Sequence, residues 1–188
     1  YGFKGDFSSS TFMTNCGMSA ISSFFLGLKE TVGSSIEIVH RSDIYFETIH
    51  LIKNYFSFIQ KIEINQDKIN KIRILYLDSI SSKVMILEDC NEIDIVVFDT
   101  ICFEVEDVRI KEVINYFSKK SCVLVLVRSH IKLDFMGIEI GKLGSLVLIT
   151  GEGGSFGHKR LYENLVGWIR DVISRFGFTF DLSHFYPI

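Results

Sequence analysis

The chain has 188 residues, 47% of them hydrophobic, which suits one large domain with a substantial core. Its net charge is −3, from 20 basic and 23 acidic residues, and no basic stripe alternates with aromatics, so a general nucleic-acid binder is excluded; His158-Lys159-Arg160 is too short a cluster to count. No run of eighteen apolar residues is present, so neither a membrane span nor a signal peptide is expected.

In chain order, residues 1–15 are polar and rich in Gly and Ser and read as loop. Met18 to Lys29 carries Met18, Ile21, Phe24, Phe25 and Leu28 at helical spacing. Ile36 to Val39 is a short strand. Arg41-Ser42-Asp43 is a capping turn, and residues 44–57 follow as a helix. A strand is expected over Lys61 to Ile64, then a short helix or loop over Asp67 to Lys71. Ile72 to Leu77 is a strand that ends at Asp78-Ser79, and Ile93 to Phe98 is another that ends at Asp99. Residues 107–119 form an amphipathic helix. The strands Cys122 to Val127 and Ser145 to Thr150 follow, then a Gly-rich loop at 151–154 and a long helix over 157–176 containing Trp168. Continuous apolar strands alternating with amphipathic helices predict a three-layer α/β/α domain with a mostly parallel sheet. Ligands of such sheets collect at the carboxyl ends of the strands, where Asp78, Asp99 and Ser129 lie.

Cys16, Cys90, Cys102 and Cys122 have no CxxC spacing, which argues against zinc and against a disulfide framework and for a reducing, cytoplasmic setting. The five histidines do not cluster at metal spacing. His130 alternates with Ser129 and Ile131 and is expected to point away from them.

Four segments carry candidate chemistry. Asn15-Cys16-Gly17-Met18 opens a helix, where free backbone N–H groups make a phosphate cradle. Tyr45 follows a strand and turn and has a ring that can stack on a planar group. Asp99 ends a strand and could pair with a ring nitrogen. Lys132 closes Ser129-His130-Ile131-Lys132 after a buried strand. There its amine is expected to be desolvated, which favours the neutral, nucleophilic form. Taken singly, the plainer readings are a simple turn, a core tyrosine, a turn aspartate and a loop lysine.

Together and in this order, the segments resemble the large domain of fold-type I pyridoxal 5'-phosphate enzymes, most closely the Cys/Met metabolism family of cystathionine synthases and lyases. Cys16-Gly17-Met18 looks like that family's Ser-Gly-Met phosphate turn. Asp43-Ile44-Tyr45-Phe46-Glu47-Thr48 looks like its Asp-Leu-Tyr-Gly-Gly-Thr, Asp99-Thr100 like its Asp-Asn-Thr, and Ser129 to Lys132 like its Ser-x-Thr-Lys. The resemblance spans about residues 12–150. It implies an aspartate aminotransferase-like fold and pyridoxal 5'-phosphate as cofactor. Lys132 is implied as the Schiff-base lysine and later general base, and Tyr45 as the stacking and proton-moving residue. Asp99 falls on the ring nitrogen, and Cys16, Gly17, Met18 and Ser129 on the phosphate. It further implies an amino-acid substrate, elimination or replacement at Cβ or Cγ, and a homodimer or higher oligomer. Ile131 stands where the family has threonine, Cys16 where it has serine, and Asp78-Ser79 lacks the Asn-Pro that should follow.

The expected organisation is one cofactor-binding domain over residues 1–188, with 177–188 leading out to an absent or reduced C-terminal domain. The start at Tyr1 reads as a piece of something longer. Two other readings stay open. One is a non-catalytic or incomplete domain that needs a partner. The other is a nucleotide-binding module using Gly151 to Arg160, whose Gly157-His158 departs from the Walker pattern.

Overall fold

The structure, a computed structural model, describes residues 7–33, 36–40, 43–62, 72–80, 92–104, 106–132, 134, 142–151 and 155–176. Within them seven strands form one sheet: β1 (Phe7–Thr14), β2 (Ile36–His40), β3 (Ile59–Lys61), β4 (Ile72–Asp78), β5 (Ile95–Asp99), β6 (Val123–Ser129) and β7 (Gly144–Gly151). Their spatial order is β1-β7-β6-β5-β4-β2-β3. Strands β3, β2, β4, β5 and β6 run parallel, and β7 is antiparallel to both β6 and β1. The helices are α1 (Gly17–Val32), α2 (Phe46–Tyr55), α3 (Val108–Phe117) and α4 (Phe156–Phe176).

The predicted three-layer α/β/α architecture is what forms, and strand periodicity explains it. Successive side chains of a strand point to opposite faces. Ile74, Tyr76, Ile95, Val97, Val123, Val125 and Val127 therefore share one face and pack with α1, α2 and α4. Leu75, Leu77, Val96, Phe98, Leu124 and Leu126 take the other face and pack with Ile110, Val113, Ile114 and Phe117 of α3. Helices α1 and α4 approach closely at Gly27, where a Cβ would lie 2.7 Å from Cγ1 of Ile169.

The main correction concerns the N-terminus. Residues 7–14, expected as loop, form the edge strand β1, paired with β7 from Phe7↔Gly151 to Thr14↔Gly144. Its Ser-rich sequence has little apolar alternation because an edge strand is fixed by its backbone ladder and leaves most side chains half-buried or exposed. Other boundaries move by a few residues: β3 covers 59–61, residues 63–64 of the strand expected at 61–64 lying outside the described residues, β5 starts at Ile95, and Gly151 belongs to β7. The segments at 67–71 and 177–188 lie outside the described residues. Among those described, Cys16, Cys102 and Cys122 are not disulfide-bonded, and no helix is long and apolar enough to cross a membrane.

Below the α3 face lies a buried ion pair. Arg73 of β4 opposes Glu37 of β2 in register. Its Nη2 and Nε reach Glu37 Oε2 at 3.1 and 3.2 Å, and its Nη1 reaches Glu92 at 3.1 Å. Truncating one partner would strand a buried charge. Arg73→Ala is therefore expected to cost about 3–5 kcal/mol in urea unfolding, whereas replacing both partners by apolar residues restores most of that loss.

Candidate functional site

The site forms at the carboxyl edge of the parallel strands. Asp78 pairs in register with Asp99, and Asp99 with Val127, two residues before Ser129. By alternation Asp78, Asp99 and Ser129 continue the rows of Tyr76, Val97 and Val127, so all three face the α1 and α2 side.

The start of α1 is built against the end of β6. Cys16 is its N-cap, with Sγ accepting the Ser19 N–H at 3.4 Å. The Cys16 carbonyl accepts the Ala20 N–H at 3.1 Å and the Thr14 hydroxyl at 2.9 Å. Among the described residues no acceptor takes the N–H groups of Gly17 and Met18. Two glycines permit the close approach. A Cβ on Gly17 would lie 2.8 Å from Ser129 Cβ, and one on Gly144 would lie 2.3 Å from the Cys16 carbonyl carbon and oxygen. The free donors of the first turn and the buried Ser129 thus share one wall, an anion-binding arrangement.

The opposite wall is Tyr45, just before α2. Asp78 fixes it by accepting its backbone N–H on Oδ2 at 2.8 Å, while Oδ1 takes the Ile80 N–H at 2.9 Å. Lys132 lies in the turn after β6 and places Nζ 4.6 Å from the Tyr45 ring centroid, a cation–π contact. The lysine is exposed. This corrects the expected desolvation: Lys132 stands three residues beyond the strand, at the mouth of the cavity rather than within the sheet.

Asp99 forms the floor and is 4% exposed. Burial pushes its carboxyl up to about 7, with Asp78 adding to the rise, against the Ile101 N–H, Lys132 and Arg128. That N–H is donated to Oδ1 at 3.0 Å. Asp78 is raised by burial as well, with the Ile80 and Tyr45 N–H groups and Lys132 opposing. Tyr76, fully buried two residues before Asp78, is raised well above the usual phenol range by burial, then by Asp99 and Asp78. It therefore stays protonated. Its hydroxyl lies beside that of Thr48, but neither completes a well-formed hydrogen bond.

All seven residues nominated from sequence line one cavity of about 210 Å³: Cys16, Gly17, Met18, Tyr45, Asp99, Ser129 and Lys132. Ile131 lines it too, adding an apolar side chain to the wall. His130 does point away: Nδ1 meets Asp134 at 2.6 Å and Nε2 meets Ser145 Oγ at 2.8 Å. Sequence reasoning missed Tyr76 and Arg128, and gave Glu47 and Thr48 no role beyond their place in the Asp43 to Thr48 segment. Strand parity with Asp78 was the available signal for Tyr76. The Gly-rich alternative lies at the other edge of the sheet, since Thr150 pairs with Val123, the first residue of β6. That is the end where α/β sheets do not ordinarily hold ligands. Residues 152–154 of that loop lie outside the described residues.

No family model matches the chain, and no curated protein matches it. Solved structures do. An aromatic amino acid aminotransferase from Burkholderia cenocepacia J2315 aligns with TM-score 0.63 and 12% identity over 94% of this chain and 50% of its own. The cytoplasmic aspartate aminotransferase from Giardia lamblia gives 0.61 and 14% over 96% and 50%. An aromatic-amino-acid aminotransferase from Burkholderia pseudomallei, covalently bound to pyridoxal phosphate, gives 0.51 and 14% over 87% and 47%. The fold is the aminotransferase-like α/β large domain. The chain spans about half the length of these structures.

Proposed function

We propose that this chain is the cofactor-binding large domain of a pyridoxal 5'-phosphate-dependent enzyme acting on an amino acid. The observation that carries the proposal is the convergence of a free helix N-terminus, a ring-stacking tyrosine, a buried acid and a lysine amine on one cavity. The residues fit the cofactor by chemistry. The N–H groups of Gly17 and Met18, with Ser129, suit a phosphate, and the Gly17 position leaves no room for a Cβ. Asp99, held near neutrality by burial, would be drawn to its ionised form by a cationic ring nitrogen.

When bound, the cofactor supplies an electron sink through its protonated ring. Asp99 would hold that nitrogen protonated, and Tyr45 would cover one ring face, oriented through Asp78. Lys132 is the lysine amine lining the cavity and, with the cofactor bound, would take the proton from the substrate Cα. The finer reading, elimination or replacement at Cβ or Cγ, rests on the Cys16-Gly17-Met18, Asp43 to Thr48 and Ser129 to Lys132 motifs. The similar solved structures from Burkholderia cenocepacia and Giardia lamblia are aminotransferases, so amino transfer is the competing reaction. A second reading, a domain completed by another chain, is favoured by Phe46 and Ile80, 62% and 53% exposed beside the site. A homodimer is the proposed assembly, and a reducing, cytoplasmic setting suits cysteines that form no disulfide among the described residues.

Titration with pyridoxal 5'-phosphate, with pyridoxal lacking the phosphate as comparison, tests the cradle. Saturable binding is expected, with pyridoxal at least about 10-fold weaker and inorganic phosphate competing, since one lost charge-assisted contact set is worth more than about 1.4 kcal/mol. Equal binding of the two would remove the phosphate role from α1.

A further inference from the structure

We infer that Arg128 and Asp134 are positioning residues that set the Lys132 amine against the Asp99 carboxyl from the opposite face of the sheet. The inference rests on the cofactor-site reading above for its functional meaning, while its geometry stands without it. Arg128 is the penultimate residue of β6 and alternates with Val127 and Ser129, so it leaves the site to them and turns to the α3 side. Its side chain is 3% exposed, and its donors go to two separate turns.

Nη1 donates to the carbonyls of Thr100 and Phe103 at 2.8 and 2.9 Å. These belong to the turn that begins at Asp99, whose next residue is already tied to β6 by Thr100 N–H to Val127 O at 2.9 Å. The other edge of the guanidinium grips Asp134: Nε reaches Oδ2 at 2.8 Å and Nη2 bonds Oδ1. Asp134 also meets His130 Nδ1 at 2.6 Å, and His130 is anchored by its N–H to Leu143 O at 2.9 Å and by Nε2 to Ser145 Oγ at 2.8 Å. Lys132 stands midway between His130 and Asp134, so its turn is pinned on both sides. Burial alone would raise the Asp134 carboxyl; hydrogen bonds from Arg128 and His130 outweigh it and hold Asp134 below its usual range, so the clamp is charged at neutral pH.

A single planar cation thus ties the acid-bearing turn to the amine-bearing turn. An ammonium cannot reproduce that, because it lacks the fixed fork needed to serve two carbonyls and a bidentate carboxylate at once.

The test needs no cofactor. In protein reductively methylated with ¹³C-formaldehyde, the dimethyl resonance of Lys132, assigned by its loss in Lys132→Arg, is expected to carry a ring-current shift from Tyr45. Tyr45→Leu erases that shift and defines its full size. Arg128→Lys and Asp134→Asn should each remove at least half of it, while far-UV circular dichroism and a cooperative melt are retained. A folded Asp134→Asn protein that keeps the wild-type shift overturns the clamp; this variant decides alone should Arg128→Lys fail to fold. With cofactor added to separate, unmethylated samples, whose Lys132 amine is still primary, the share of borohydride-trapped adduct on Lys132 is expected to fall about 10-fold in both variants. Wild type that takes no cofactor, with the resonance still moving in the variants, removes the cofactor reading and leaves the clamp. Wild type that takes cofactor, with no movement, does the reverse.

Discussion

Asp99→Asn is expected to make the cofactor-free protein more stable above pH 7, by up to about 4 kcal/mol. The carboxyl is raised from 3.8 to about 7, chiefly by burial and then by Asp78. A carboxyl raised in the folded state holds its proton natively between these two values, while the unfolded chain has released it. Unfolding then sheds a proton, so stability falls as pH rises through this window and levels off above about 7. The full penalty is about 4 kcal/mol at 1.36 kcal/mol per unit, an upper bound because a buried amide has its own desolvation cost. Urea midpoints at pH 4, 6 and 8 should therefore drop in wild type more steeply than in Asp99→Asn. Parallel profiles would mean that Asp99 is not held near neutrality. On the proposed reading the stability forgone would have a functional counterpart: a cationic ring nitrogen would offset the burial of the ionised carboxylate. Pyridoxal 5'-phosphate should accordingly stabilise wild type more than the asparagine variant at pH 8.

Lys132→Ala is expected to weaken pyridoxal 5'-phosphate binding on the order of 100-fold, equivalent to about 2.7 kcal/mol. It should also abolish borohydride-stable labelling of the cavity. The variant leaves the α1 N-terminus, Ser129 and Tyr45 in place, so weak noncovalent binding persists. Lys132→Arg separates charge from nucleophilicity. Lys132 draws both Asp99 and Asp78 downward. The alanine variant should therefore move the Asp99 titration further up, and the arginine variant should leave it near the wild-type position; both lose the adduct. The titration is read from the pH profile of urea stability. An alanine variant that still labels at the cavity would assign the amine elsewhere.

The layered fold was readable because Ile95–Phe98 and Cys122–Val127 are continuous apolar runs, the mark of strands covered on both faces. The site was readable for a related reason. Its groups lie just past those runs, where the ends of the apolar stretches already mark the sheet's carboxyl edge. What escaped depends on contacts that leave no local pattern. Edge strand β1 is held by backbone pairing, and Ser8-Ser9-Ser10 carries no period to reveal it. Tyr76 reads as one more apolar strand residue; parity with Asp78 puts it on the site's face, and register with Asp99's strand sets its phenol under the site. Arg128 reaches one turn through the Thr100 and Phe103 carbonyls, whose identity no side chain records, and the other through the Asp134 carboxylate. The exposure of Lys132 is set by the length of a turn, which the apolarity of the preceding strand does not encode.

The central claim is that one cavity brings Lys132 to a pyridoxal 5'-phosphate held by α1, Tyr45, Asp99 and Ser129. Its most direct test is to incubate the wild-type chain with the cofactor, record the visible spectrum, reduce with borohydride and map the modified lysine by mass spectrometry. A visible band with one dominant adduct on Lys132 is the predicted result. No band, or adducts spread over exposed lysines such as Lys111 and Lys159 without preference for Lys132, would contradict it.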